Sequence, residues 1–156
     1  MRAQGGSAAG ADIVRAAWWG TGVFAVAAVA AVVVRPLRPV SVVVDVVLFA
    51  AGCVAFGAAY VRGLGRSRRE RVAVTGLYLL AGSAPVDVRR RLLGALAAQV
   101  VIALATAIAR PYTSLAAGTL VPMYGLGLCG LWAARHGTFP PRPDLDPPGK
   151  GRRRGR

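Results

Sequence analysis

Four apolar stretches, Trp18 to Val34, Val40 to Val61, Leu92 to Ala109 and Leu115 to Ala134, limit what this chain can fold into. At about 1.5 Å per helical residue, each can cross a hydrocarbon core of about 30 Å once a little flanking length is allowed. The sequence therefore predicts an all-α polytopic membrane protein with four transmembrane helices, about 18–34, 40–61, 92–109 and 115–134. Composition agrees, since 55% hydrophobic residues and a mean hydropathy of +0.51 are rare in a soluble domain of 156 residues.

The net charge of +14 would ordinarily suggest nucleic acid as a partner. Here the basic residues fall outside the apolar stretches and cluster at their ends, which is an orientation signal, so nucleic acid is set aside. Arg2 and Arg15 precede the first span. Arg62, Arg66, Arg68, Arg69, Arg71, Arg89, Arg90 and Arg91 lie between the second and third. Arg135, Arg142, Lys150, Arg152, Arg153, Arg154 and Arg156 follow the fourth, and only Arg35, Arg38 and Arg110 lie on the other side. Under the positive-inside rule both termini and the central loop are cytoplasmic. The preference for Arg over Lys, 19 to 1, with abundant Ala, Val and Gly, reads as a GC-rich bacterial genome.

The predicted layout is a cytoplasmic lead, 1–17, a transmembrane domain, 18–134, with a cytoplasmic interfacial loop at 62–91, and a disordered Pro- and Arg-rich cytoplasmic tail, 135–156. The long lead with Asp12 and the unbroken run into Val34 fit an uncleaved anchor better than a signal peptide. Within the loop, Val72 to Ala81 is too short to span, and reads as either a short amphipathic interfacial helix or a hairpin about Gly76. Ser83-Ala84-Pro85-Val86-Asp87 reads as the start of the third helix, with Ser83 as its cap.

Few residues inside the spans bear chemistry. Asp45 is the sole intramembrane carboxylate, and an ionised group at mid-membrane costs about 2.5–3.5 kcal/mol, so it calls for a partner. Arg35, Arg38 and Arg110 lie within reach, and Arg110 is the first candidate, with Arg35 behind it. Asp45, Arg110 and Gln99 together form a candidate intramembrane ion pair or path. The ion pair that fixes helix register is favoured, because one carboxylate near one end makes a poor proton relay. Ala95, Gln99, Ala103, Thr106 and Arg110 share a helix face, as do Gly118, Pro122, Gly125, Cys129 and Trp132, the latter with a proline kink expected. Gly52, Gly118, Pro122 and Gly125 are the helix-packing candidates. The anionic-lipid candidates are Arg66, Arg68, Arg69, Arg71, Arg89, Arg90 and Arg91.

Enzyme signatures are missing. Cys53 and Cys129 are isolated, His136 is the sole histidine, and no phosphate loop, G-x-S-x-G or H-E-x-x-H pattern occurs. No cofactor, metal or catalytic residue is assigned. Spans one and three both end in Arg-Pro, and spans two and four each carry a cysteine beside glycine, a weak sign of a duplicated hairpin.

The stretch Gly76-Leu77-Tyr78-Leu79-Leu80-Ala81-Gly82-Ser83-Ala84-Pro85, Arg110-Pro111-Tyr112-Thr113, and Trp132 through Arg135-His136-Gly137-Thr138-Phe139-Pro140-Pro141-Arg142 resemble an uncharacterised family of small actinobacterial four-span membrane proteins. The resemblance implies a multi-pass protein of the bacterial inner (cell) membrane and carries over no activity. The expected function is that of a non-enzymatic scaffold or accessory component of the cell envelope, engaging anionic lipid and a membrane or cytoplasmic protein. The alternative is a small transporter or lipid-linked flippase, working as a homo-oligomer, that uses Asp45, Gln99 and Arg110.

Overall fold

Four helices long and apolar enough to cross a membrane make up most of the chain in the computed structural model, which describes residues 10–68, 70–109 and 114–141, without the side chains of 114–116. No strand occurs among the described residues. Helix α1, Ala11–Val33, starts at Gly10, whose φ of +79° suits glycine. It stops where Val34 turns extended, and Arg35–Leu37 closes the connection as a 3-10 turn. Helix α2, Arg38–Ser67, begins with Pro39 in its first turn, where the missing N–H costs nothing. At 30 residues, about 45 Å, it is longer than a hydrocarbon core is thick.

The central loop packs against the bundle. Helix α3, Val74–Tyr78, buries Gly76, Leu77 and Tyr78 against the bundle, and Leu80 behind it is fully enclosed. Leu80 takes a left-handed φ of 56°, uncommon for a non-glycine residue, and its burial holds it there. The expected cap role of Ser83 is corrected: its hydroxyl donates to the Gly76 carbonyl at 2.5 Å and so ties the loop to itself. Helix α4, Val86–Ala109, starts instead at Pro85, whose carbonyl accepts from Arg89 N–H.

The fourth span has two parts. A 3-10 segment, Ser114–Leu120, leads into helix α5, Pro122–His136, and Pro122 sits in the first turn of α5. The proline therefore begins a helix where a kink was expected, since its ring would clash in a helix interior but is preorganised at a start. Helix α5 is central: 56% of its span is buried, against 22–33% for the others.

Bundle packing is that of a membrane protein. The buried seam of α1 is Ile13, Ala17, Gly20, Thr21, Phe24, Ala28 and Ala31, while Val23, Val26, Val29 and Val33 point outward. Small residues line the seams because lipid offers no hydrophobic reward for burying large ones, so close backbone approach and hydrogen bonds hold the helices. Beyond α5 the chain is packed through Pro141, correcting the disordered tail for 135–141. Arg71 N–H donates to the Pro140 carbonyl, Thr138 N–H to the Ser83 carbonyl, and Glu70 pairs with Pro141 in an antiparallel bridge. The lead before Gly10 and the tail from 142 to 156 lie outside the described residues.

Candidate functional site

Gln99 occupies the junction of three helices. It is fully buried on α4, its Nε2 donates to Thr21 Oγ1 of α1 at 2.8 Å, and its Oε1 accepts from the Gly125 N–H of α5 at 3.1 Å. Thr21 in turn donates to the Ala17 carbonyl at 2.8 Å. One residue before Gly125, Tyr124 lies over Gly20 and donates its hydroxyl to the Ala16 carbonyl at 2.9 Å. Gln99 thus serves as a bonded staple, with both ends of its amide engaged in protein contacts. Ala95, Gln99, Ala103 and Thr106 form one buried stripe of α4, and Thr106 Oγ1 bonds back to the Ile102 and Ala103 carbonyls, 2.9 Å each.

Asp45 lies elsewhere. Gly52 of α2 packs on the backbone of Met123 and Tyr124, the level of Gly125 and so of Gln99, and Asp45 is about two turns, or roughly 10 Å, further along α2. Gln99 and Asp45 are therefore not one polar cluster. Asp45 is 1% exposed, beside Ser41 at 2%, and its Oδ1 has no hydrogen-bond partner among the described residues. Arg110 lies outside the described residues. Arg35, the second candidate, is exposed in the 3-10 turn and makes no ion pair with Asp45. Arg38, two turns before Asp45 on the same face, has a buried Nε without a hydrogen-bond partner among the described residues.

Close packing of α2 on α5 centres on Gly52 and Gly127. A Cβ on Gly52 would sit 2.5 Å from Tyr124 N, and one on Gly127 would strike the Gly52 carbonyl. Gly125 faces Leu96 and Gln99 of α4, and Gly118, in the 3-10 segment, faces Phe24. Pro122 is half-buried at the head of α5. Cys53 is exposed and Cys129 buried, so the two positions of the suspected repeat have different environments.

At the end of the bundle where Gly10 and Pro141 lie, Arg66 closes α5. Its Nη2 donates to the Gly137 carbonyl at 2.9 Å and its Nη1 to the Ala134 carbonyl at 3.3 Å, while Nε donates to Glu70 at 2.9 Å. The guanidinium also lies over the Phe139 ring, 5.0 Å from its centroid. Arg66 is therefore engaged by the protein. Tyr78 stacks on Phe56, with ring centroids 4.2 Å apart, and burial, then the nearby Tyr60, push its hydroxyl pKa upward. Around this closed end Arg62, Arg68, Arg71, Arg89, Arg90 and Arg91 are exposed, and Arg69 lies outside the described residues.

Sequence reasoning passed over Thr21 and Tyr124, and for Arg66, named as a lipid candidate, it did not foresee the bonds to the end of α5. Thr21 had a signal, being a hydroxyl that shares the Ala17, Phe24 and Ala28 face of an otherwise apolar span. Arg66 had none, because its role depends on where the C-terminus of α5 arrives from 67 residues away. Comparison with protein-family models, curated proteins and solved structures finds no match to this chain.

Proposed function

We propose that this protein is a non-enzymatic scaffold or accessory component of a bacterial cell membrane, anchoring envelope machinery through a basic cytoplasmic face. The observation that carries this reading is the division of polar groups between bundle and rim. Gln99, Thr21 and Tyr124 are bonded to neighbouring helices, and Arg66 to the end of α5, whereas Arg68, Arg71, Arg89, Arg90 and Arg91 stand exposed around one end. A rigid core with a free cationic rim suits adhesion, in which each charge adds about 1 kcal/mol toward an anionic leaflet. Orientation follows from the same charges: a reporter inserted between Leu37 and Pro39 reads exterior, and one after Arg68 reads cytoplasm.

Affinity capture from native membranes tests the proposal. The expected result is stoichiometric co-purification of a membrane or cytoplasmic protein together with anionic lipid, both reduced when Arg68, Arg71, Arg89 and Arg90 are changed to Gln. Recovery of the chain without a protein partner, coupled to pH-driven solute flux in liposomes that Asp45→Asn abolishes, would overturn it in favour of a transporter.

A further inference from the structure

The cleft between α1 and α4 at the basic end has a chemistry of its own. It measures about 470 Å³ and is lined by Val14, Arg15, Trp18, Trp19 and Arg91. Gly94 of α4 lacks a side chain where the Trp18 ring approaches, so the indole lies against α4 and walls the cleft. Trp18 and Trp19 are 48% and 74% exposed, and Val26 and Val29, on the same face of α1 as Arg15, continue an apolar exposed strip along the helix. Two guanidinium groups therefore sit at the mouth, indoles form the walls, and an apolar track leads into the hydrocarbon. Tryptophan favours the headgroup boundary, so the mouth sits at phosphate depth.

Neither arginine is bonded to another helix among the described residues. Arg15 pairs only with its exposed helix neighbour Asp12, 91% accessible, a contact worth little in water. Arg91 has no hydrogen bond or ion pair among the described residues, in contrast to Arg66.

We infer that this cleft is a binding site for one anionic glycerophospholipid, its phosphodiester held between Arg15 and Arg91 and one acyl chain laid along Trp18, Trp19 and Val26. Charge complementarity at the mouth and the apolar strip below it select an anionic lipid over a soluble anion, which would leave the strip unused. Arginine suits the role because its planar fork grips a phosphate through two donors. The inference rests on the proposed reading of the basic end as the lipid-facing cytoplasmic rim, and adds to it a discrete site on α1 and α4.

The test is tryptophan quenching in vesicles of mixed composition, with brominated phosphatidylglycerol or brominated phosphatidylcholine as the quencher. Trp132, 2% exposed, supplies the unquenched background. The full-length protein is expected to select phosphatidylglycerol, with each arginine of the pair contributing about fivefold. The double variant R15Q/R91Q should bring the preference close to one, while R68Q/R71Q/R89Q/R90Q should leave most of it. A preference that survives R15Q/R91Q but falls in the rim variant overturns the site and keeps the basic-rim reading, and no preference in the wild type overturns both. Displacement of the anionic lipid by 10 mM inorganic phosphate would assign the pair to a free anion and overturn the lipid.

Discussion

Gln99 and Thr21 meet at 2.8 Å across 78 residues of sequence, and their bond joins α4 to α1 at the level where both touch α5. Because Gln99 also accepts from the Gly125 N–H, one side chain fixes the register of three helices. Interhelical hydrogen bonds in membranes contribute about 0.6 kcal/mol on average and up to about 1.7. Gln99→Leu should therefore lower stability in detergent by about 1–2 kcal/mol, leaving two partners unsatisfied. Thr21→Val made together with Gln99→Leu should cost less than the two separately, read from chemical denaturation in a double-mutant cycle. Strict additivity would show that the bond does not form.

Gly52 and Gly127 set the distance between α2 and α5. A Cβ on Gly52 lands 2.5 Å from Tyr124 N, and backbone cannot yield as a flexible side chain would. Gly52→Ala should destabilise by about 1–3 kcal/mol, as overpacking does. Gly57→Ala, on the same helix with nothing within 4 Å of its Cβ, should be neutral or slightly stabilising. Equal melting temperatures for the two variants would contradict the contact.

Much of the architecture was legible because membrane helices announce themselves locally: the apolar lengths of α1, α2 and α4 gave their number and approximate place. Their ends were less legible, since α2 runs on to Ser67 and α4 starts at Val86 in polar sequence that hydropathy assigns to loops. The interior of the fourth span was misread at Pro122, because helical spacing alone does not distinguish a kinked helix from a 3-10 segment followed by a helix start. Loop packing was the least legible part. The buried place of Leu80 and the half-buried place of Phe139 depend on packing of the central loop and of the chain after α5, and no period in either segment reports them.

Arg66 satisfies carbonyls at the C-terminus of α5 and also stacks on Phe139, so its loss should loosen the segment 137–141 first. Arg66→Gln is expected to cost about 1–2 kcal/mol and to raise hydrogen exchange at the Arg71 and Thr138 amides, which bond to the Pro140 and Ser83 carbonyls. Arg66→Lys should recover little of this, because one ammonium lacks the planar fork that reaches Gly137, Ala134 and Glu70 together. Full rescue by lysine would reduce the interaction to simple charge.

Asp45 separates the scaffold from the transporter. Its carboxylate is 1% exposed with Oδ1 unpartnered among the described residues, so the charge is carried at a cost that the neutral, isosteric amide avoids. If the residue serves packing, Asp45→Asn should match or exceed the wild type in detergent stability and in partner capture. Arg110, the partner expected from the sequence, is tested in the same cycle. Removing an arginine from a buried pair leaves an uncompensated charge, so Arg110→Ala should be strongly destabilising and Asp45→Asn should restore it. Additive effects would eliminate that pairing and leave Arg38, whose buried Nε lies two turns away on the same face, as the cation to test next. A transport role shares that stability outcome and departs from it in function: Asp45→Asn would keep full stability in detergent yet lose activity in the membrane.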